Sequence, residues 1–193
     1  MIKEAIKKLV AGNDLTFDEA AQVMDEMFSG TATQSQMAAY LTALRIKGET
    51  IDEITASAQV MREKALHIKP NRDVLDIVGT GGDGTGTFNI STTAAFIIAA
   101  AGIPVAKHGN RSMSSKSGSA DCLEQLGINI NITPEKSEEV LNKAGICFMF
   151  AQGYHSSMKY VGPVRKEIGI RNIFNVLGPL TNPAGADLQV TRV

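Results

Sequence analysis

Apolar residues recur at helical spacing through the first third of the chain, beginning with Ile2, Ala5, Ile6, Leu9 and Val10. Three boxes of Thr-x-x-Glu or Thr-x-x-Gln follow, Thr16 to Glu19, Thr33 to Gln36 and Thr50 to Glu53, each opening another stretch of that period. In such a box the threonine hydroxyl accepts from the amide three residues on, while the Glu or Gln side chain reaches back to the capping amide. Gly30 and Gly48 stand where the first two of these helices would close. Residues 1 to about 69 are therefore predicted to form four short helices and no strand. Their apolar side, Met24, Met27, Phe28, Met37, Tyr40, Leu41 and Leu44, suits either the module's own core or a subunit interface. The equal spacing of the threonines is not a repeat, because the residues between the boxes do not align.

From Asn71 the period changes. Short β-rich runs at Val74–Val78, Ile103–Ala106, Ile128–Ile130 and Ile146–Phe150 alternate with helical stretches. Gly102, Gly127 and Gly145 fall at helix ends, and Thr133-Pro134-Glu135 is a helix start. The apolar run Ala94 to Ala101 reads as a buried helix. This alternation predicts βαβ units and a mostly parallel central sheet, with ligand at the carboxyl ends of its strands. The fold class is α/β: a small all-helical domain over 1–69 and a larger α/β domain over 70–193.

Two loops carry the candidate chemistry. Between the first predicted strand and a helix start, residues 78–92 hold five glycines. Glycine lets the backbone approach an anion, and amides with the positive end of the next helix attract it, so this segment predicts a phosphorylated ligand. It lacks the Gly-Lys-Ser/Thr of a P-loop and the glycine spacing and distal acid of a dinucleotide fingerprint. After the second predicted strand, Lys107 to Ser119 crowds three cations, five hydroxyls and two glycines into one segment. Lys107 and Arg111 supply charge there, and serines and freed amides supply hydrogen bonds. His108 or Asn110 would orient a small polar substrate, and His108 is also placed to accept a proton.

Composition narrows the ligand class. With 193 residues, 44% hydrophobic, 20% charged and net charge −1, the chain has no general attraction for nucleic acid or an anionic membrane. Cys122 and Cys147 have no metal-like spacing and read as free thiols in a reducing cytoplasm. No apolar run is long enough to span a bilayer.

Gly79-Thr80-Gly81-Gly82-Asp83, Asn89-Ile90-Ser91-Thr92 and Lys107 to Ser112 resemble the anthranilate phosphoribosyltransferase family. Ser117 to Asp121, His155, Met158, Arg165 and Arg171 to Pro183 continue the match in order and spacing across essentially the whole chain. The resemblance implies transfer of the phosphoribosyl group of 5-phosphoribosyl 1-diphosphate to the amine of anthranilate, in tryptophan biosynthesis, with Mg2+ on the diphosphate. Carried over by position, Gly79, Gly82, Asp83, Thr87, Asn89, Ile90, Ser91 and Thr92 would hold the phosphoribosyl substrate. Lys107, His108, Gly109, Asn110, Arg111, Ser112, Met113, Ser114, Ser115 and Ser119 would complete that site. Lys107, His108 and Arg111 would act on the reacting groups, and Ser91 would be a magnesium ligand. Gly79, His108, Asn110 and Arg165 would contact anthranilate. The resemblance also implies a cytoplasmic homodimer paired through the helical domain, with helices near 157–182 packing back on that domain.

The chain departs from the family pattern at Ser156-Ser157, where Pro-Ala is common, and at Asn172, where Thr is usual. The family continues past Val193 with an Asp-Glu pair that binds magnesium. The chain is accordingly expected to be the amino-terminal piece of a longer enzyme and weakly active or inactive alone. A pyrimidine nucleoside phosphorylase shares the helical-plus-α/β plan, but Asn110 stands where that family has glycine. A noncatalytic paralogue binding nucleic acid or protein is the third reading.

Overall fold

The computed structural model describes residues 1–80, 88–112 and 117–192. Its residues fall into two compact units, 1–64 with 156–180 and 65–155 with 181–193.

The first unit is helical: α1 (Ile2–Val10), α2 (Phe17–Ser29), α3 (Gln34–Lys47) and α4 (Ile51–Glu63), joined by α9 (Met158–Ile168) and α10 (Phe174–Leu180). All three capping boxes form, with both reciprocal hydrogen bonds present in each. Met24, Met27, Tyr40 and Leu41 lie fully inside, packed in one cluster with Val161, Val164 and Leu177. The apolar side of these helices is thus the unit's own core. The third box is also a buried junction. Glu53 is wholly buried, and its carboxylate accepts Leu15 N at 2.9 Å, Thr50 N at 2.8 Å and Lys47 Nζ at 2.9 Å.

The second unit holds β1 (Leu75–Gly79), α5 (Ile90–Ala100), β2 (Val105–Gly109), α6 (Ser119–Gln125), α7 (Pro134–Ala144), β3 (Ile146–Phe150), α8 (Ala151–Tyr154) and β4 (Leu188–Arg192). The four strands pair in parallel in the order β3-β2-β1-β4. Residues 65–69, expected in the helical domain, belong here, because Leu66 N donates to Tyr154 O at 2.9 Å and Ile68 N to Pro183 O at 3.2 Å.

Three sequence expectations change. The second strand starts at Val105 and runs to Gly109, in register with Ile146 to Phe150, so Lys107 and His108 are strand residues rather than loop residues. Ile128–Ile130 is not a strand: Ile128 N bonds back to Leu123 O and Asn131 N to Asn129 Oδ1, while Ile130 alone turns into a cluster with Ala120, Leu123 and Phe150. The run Ala94–Ala101 is helical but only half covered, since Ala95 is buried while Phe96 is 41% and Ile97 67% exposed.

Candidate functional site

The carboxyl ends of β1 and β2 lie side by side, and the chain leaves each through one of the two candidate loops. At the end of β1, Gly79 is opposite Arg192 in register, and Thr80 N donates to Arg192 O at 3.0 Å. The chain re-enters regular structure at α5. Asn89 occupies the N-cap position without capping through its side chain, and the first turn contains no acidic residue. The positive end of α5 is therefore not offset by a carboxylate of its own turn. Ser91 is half-buried and Thr92 buried in that turn.

The second loop leaves β2 at Gly109 and returns at α6 through a narrow neck. Ala120 N and Ser119 Oγ both donate to Asn110 O, at 3.3 and 3.2 Å. Asp121 Oδ2 accepts Gly118 N at 2.8 Å and Ser112 N at 3.1 Å. A side chain on Gly118 would collide with the backbone of Asn110, Arg111 and Ser112, and one on Gly109 with Ser119 Oγ and the Phe148 ring. The two loops meet where Asn89 Nδ2 donates to Ser117 Oγ at 3.4 Å.

The charges are arranged differently from the sequence reading. Lys107, only 5% exposed, turns inward and donates from Nζ to Ile77 O at 2.6 Å. Burial lowers its pKa to about 8, against the pull of the Asp76 charge. Arg111 does not stand as a free cation in the loop: it pairs with Asp121 at 3.0 Å and Glu124 at 2.5 Å, and lies over the Phe150 ring. It turns there because α6 presents both carboxylates on one face within reach of a guanidinium fork.

His108 is buried, its backbone N donating to Asp76 Oδ1 at 3.3 Å. Its ring lies 5.1 Å from that of His155, centroid to centroid. Burial lowers the pKa of His155 to about 4, so this ring is neutral at pH 7. Asp76 is wholly buried on the central strand and also accepts Gln189 Nε2 at 3.3 Å; burial raises its pKa. Arg165, in the first unit, is stacked on Phe174 with its Nε buried and without a hydrogen-bond partner among the described residues. Burial lowers its pKa to about 10, which leaves it charged.

The structure thus places Gly79 at the end of β1, Asn89, Ile90, Ser91 and Thr92 at the start of α5, and Lys107, His108, Gly109, Asn110, Arg111, Ser112 and Ser119 along β2 and the neck. Gly82, Asp83, Thr87, Met113, Ser114 and Ser115 lie outside the described residues. Sequence reasoning missed Asp76 and the role of Asp121. An acid inside the apolar run Val74–Val78, and an acid three residues after Gly118 at a helix start, were the available signals. A cavity of about 340 Å³ bounded by Pro70, Arg72, Asp73 and Asp187 opens at the amino ends of β1 and β4, away from these loops.

Mg2+ favours an octahedron of hard oxygens and keeps several waters. No group of three His, Cys, Asp or Glu able to hold a metal occurs among the described residues. The half-buried Ser91 hydroxyl fits a single ligand to a metal carried chiefly by a diphosphate and water.

Comparison with known proteins gives a consistent result. A family model described as "Glycosyl transferase family, a/b domain" matches residues 71–193, and one described as "Glycosyl transferase family, helical bundle domain" matches residues 3–65. The anthranilate phosphoribosyltransferase of Ruminiclostridium cellulolyticum is 60% identical over 193 residues, covering all of this chain and 57% of that protein. That of Lachnoclostridium phytofermentans is 62% identical with the same coverage. Among solved structures, the anthranilate phosphoribosyltransferase of Thermus thermophilus superposes with a TM-score of 0.90 at 48% identity, covering 97% of this chain and 57% of that one. The Saccharomyces cerevisiae enzyme in complex with PRPP and Mg gives a TM-score of 0.90 at 27% identity, covering 98% and 57%. The chain spans little more than half the length of these relatives.

Proposed function

This chain belongs to the glycosyl transferase family whose helical-bundle and α/β domains it contains, and from that premise we propose that it serves anthranilate phosphoribosyl transfer. In this reaction the anthranilate amine forms a bond to C1 of 5-phosphoribosyl 1-diphosphate as the bond from C1 to pyrophosphate breaks, and the amine then gives up a proton. The observation that carries the reading is the meeting of two glycine-bearing loops at adjacent carboxyl strand ends, joined by Asn89 and Ser117.

An aromatic amine is already a nucleophile and the leaving group departs as a stabilised anion, so the chain needs no covalent nucleophile. Its residues must bind, orient and stabilise charge. The positive end of α5, with the Ser91 and Thr92 hydroxyls, receives phosphate oxygens. Asn110 and Ser119 border the second seat. Lys107 acts from inside the sheet, its ammonium raising the potential at the strand ends without leaving the Ile77 carbonyl. Ser91 would help hold Mg2+ brought with the diphosphate, and the ion would supply positive charge toward the departing pyrophosphate. Arg165, half-buried with its Nε out of water, offers a guanidinium of the planar, forked kind that pairs with a carboxylate. His108, held by Asp76 through its backbone, orients the amine or takes its proton. We extend the proposal to a cytoplasmic homodimer; no helix among the described residues is long and apolar enough to cross a membrane.

The test is calorimetric titration of the chain with 5-phosphoribosyl 1-diphosphate, with and without Mg2+, beside a fluorescence assay of anthranilate consumption. Binding strengthened by Mg2+ is expected. A folded chain that takes up no heat would sink the assignment.

A further inference from the structure

We infer that Asp121 is a positioning residue for phosphoribosyl diphosphate, setting the loop after β2 through two backbone amides and thereby placing Asn110, Ser117 and Ser119; this rests on the proposed function. One carboxylate oxygen accepts both Gly118 N, where the loop returns, and Ser112 N, where it departs. Those two residues are six apart in sequence, so this single oxygen fixes the width of the neck. The approach is as close as the chain allows, because a side chain on Gly118 would strike the backbone of the departing strand of the neck.

Two consequences reach the ligand seat. With Gly118 held, the adjacent Ser117 hydroxyl lies within reach of Asn89 Nδ2, so the width of the neck also sets where the second loop meets the start of α5. With the neck closed, Ser119 Oγ and Ala120 N both engage Asn110 O, which fixes the peptide of a residue at the mouth of the site. The other oxygen of Asp121 takes Arg111 Nη1, but Arg111 is also held by both oxygens of Glu124. The essential contribution of Asp121 is therefore acceptance from the two amides, and its charge is secondary.

That division makes the inference testable by substitution. Asp121→Asn keeps an oxygen for the two amides, whereas Asp121→Ala removes it. Thr133→Ala, which removes the cap of the distant helix α7, is the control for lost stability alone. In titrations with 5-phosphoribosyl 1-diphosphate and Mg2+, Asp121→Ala is expected to bind at least ~10-fold more weakly, a loss of ~1.4 kcal/mol. Asp121→Asn should bind within ~3-fold of the parent and Thr133→Ala like the parent. Should Asp121→Ala not fold, Asp121→Ser, too short to reach both amides, takes its place with the same expected loss. The inference is overturned if the truncated variant binds like the parent, if Asp121→Asn is as weak as Asp121→Ala, or if Thr133→Ala is weakened equally. Absence of binding by the folded parent chain would overturn the functional reading and with it this inference, whereas binding by the parent with any of those variant results would overturn this inference alone.

Discussion

His155 shows how one buried side chain ties stability to pH. It is 4% exposed, and its Nε2 has no hydrogen-bond partner among the described residues. Burial holds its pKa down at about 4, with the His67 charge adding to that and a backbone hydrogen bond to Thr181 opposing it. In the unfolded chain an imidazole titrates near ~6.5. Between those values the unfolded state binds the extra proton, so stability is complete above about pH 6.5 and falls as the pH drops toward 4. The two pKa values bound the loss at about 3 kcal/mol. Asp76, whose raised pKa works in the opposite direction, makes the difference from a variant the proper measure. Urea unfolding of His155→Gln between pH 7 and 4.5 should show a shallower decline than the parent; parallel curves would refute the assignment. None of this was legible in sequence, where His155 was one member of a matching motif. The same holds for Lys107 and Arg111: their charges could be read, but not that one turns under β1 and the other onto α6. Side-chain direction depends on strand register and on the neighbouring helix, which only the folded chain supplies.

Among the elements, the three capping boxes have the same local pattern and different energetic weight. In the first, Glu19 accepts Thr16 N and the exposed Lys8 at the surface. In the third, Glu53 accepts Thr50 N but is also the acceptor for Leu15 N and Lys47 Nζ, fully out of water. Removing Glu53 leaves the buried Leu15 amide without its acceptor, while Lys47 keeps its pair with Asp14 at 2.6 Å, so the cost is that of an unsatisfied buried donor, about 1–3 kcal/mol. Glu53→Ala should therefore destabilise the helical unit clearly in chemical denaturation, and Glu19→Ala far less. Similar losses for the two would mean the burial of Glu53 has no energetic consequence. All three helix starts were readable because a capping box is a local device, complete within four residues. The expected strand at Ile128–Ile130 failed for the converse reason. Its alternation of Ile and Asn satisfies the strand pattern, but strand pairing needs a neighbour, and the backbone here bonds within its own turn instead.

At the scale of the whole molecule, the parallel sheet followed from alternating strand and helix periods, and the end proposed for ligand rests on the general rule for such sheets. What hydropathy could not give was the partner of each apolar face. Helix α5 contains no charged residue, yet Phe96 and Ile97 are 41% and 67% exposed, and Ile103 just beyond it 46%. On the far side of the sheet from β3, β4 pairs only with β1 among the described residues, with Leu188 and Val190 both 52% exposed. An uncharged apolar helix face and an unpaired strand edge are the two features that soluble chains ordinarily cover or break with charge. This 193-residue chain is therefore expected to self-associate as its concentration rises, and to bind a hydrophobic dye. Substituting Phe96→Glu together with Ile97→Lys places charge on the helix face without touching the start of α5, where phosphate is proposed to sit. Light scattering should then show a smaller species over the same concentration range, with dye binding reduced and heat of 5-phosphoribosyl 1-diphosphate binding retained. If association persists while dye binding falls, the β4 edge rather than the α5 face joins the copies, because a strand edge associates through backbone groups that these substitutions leave in place.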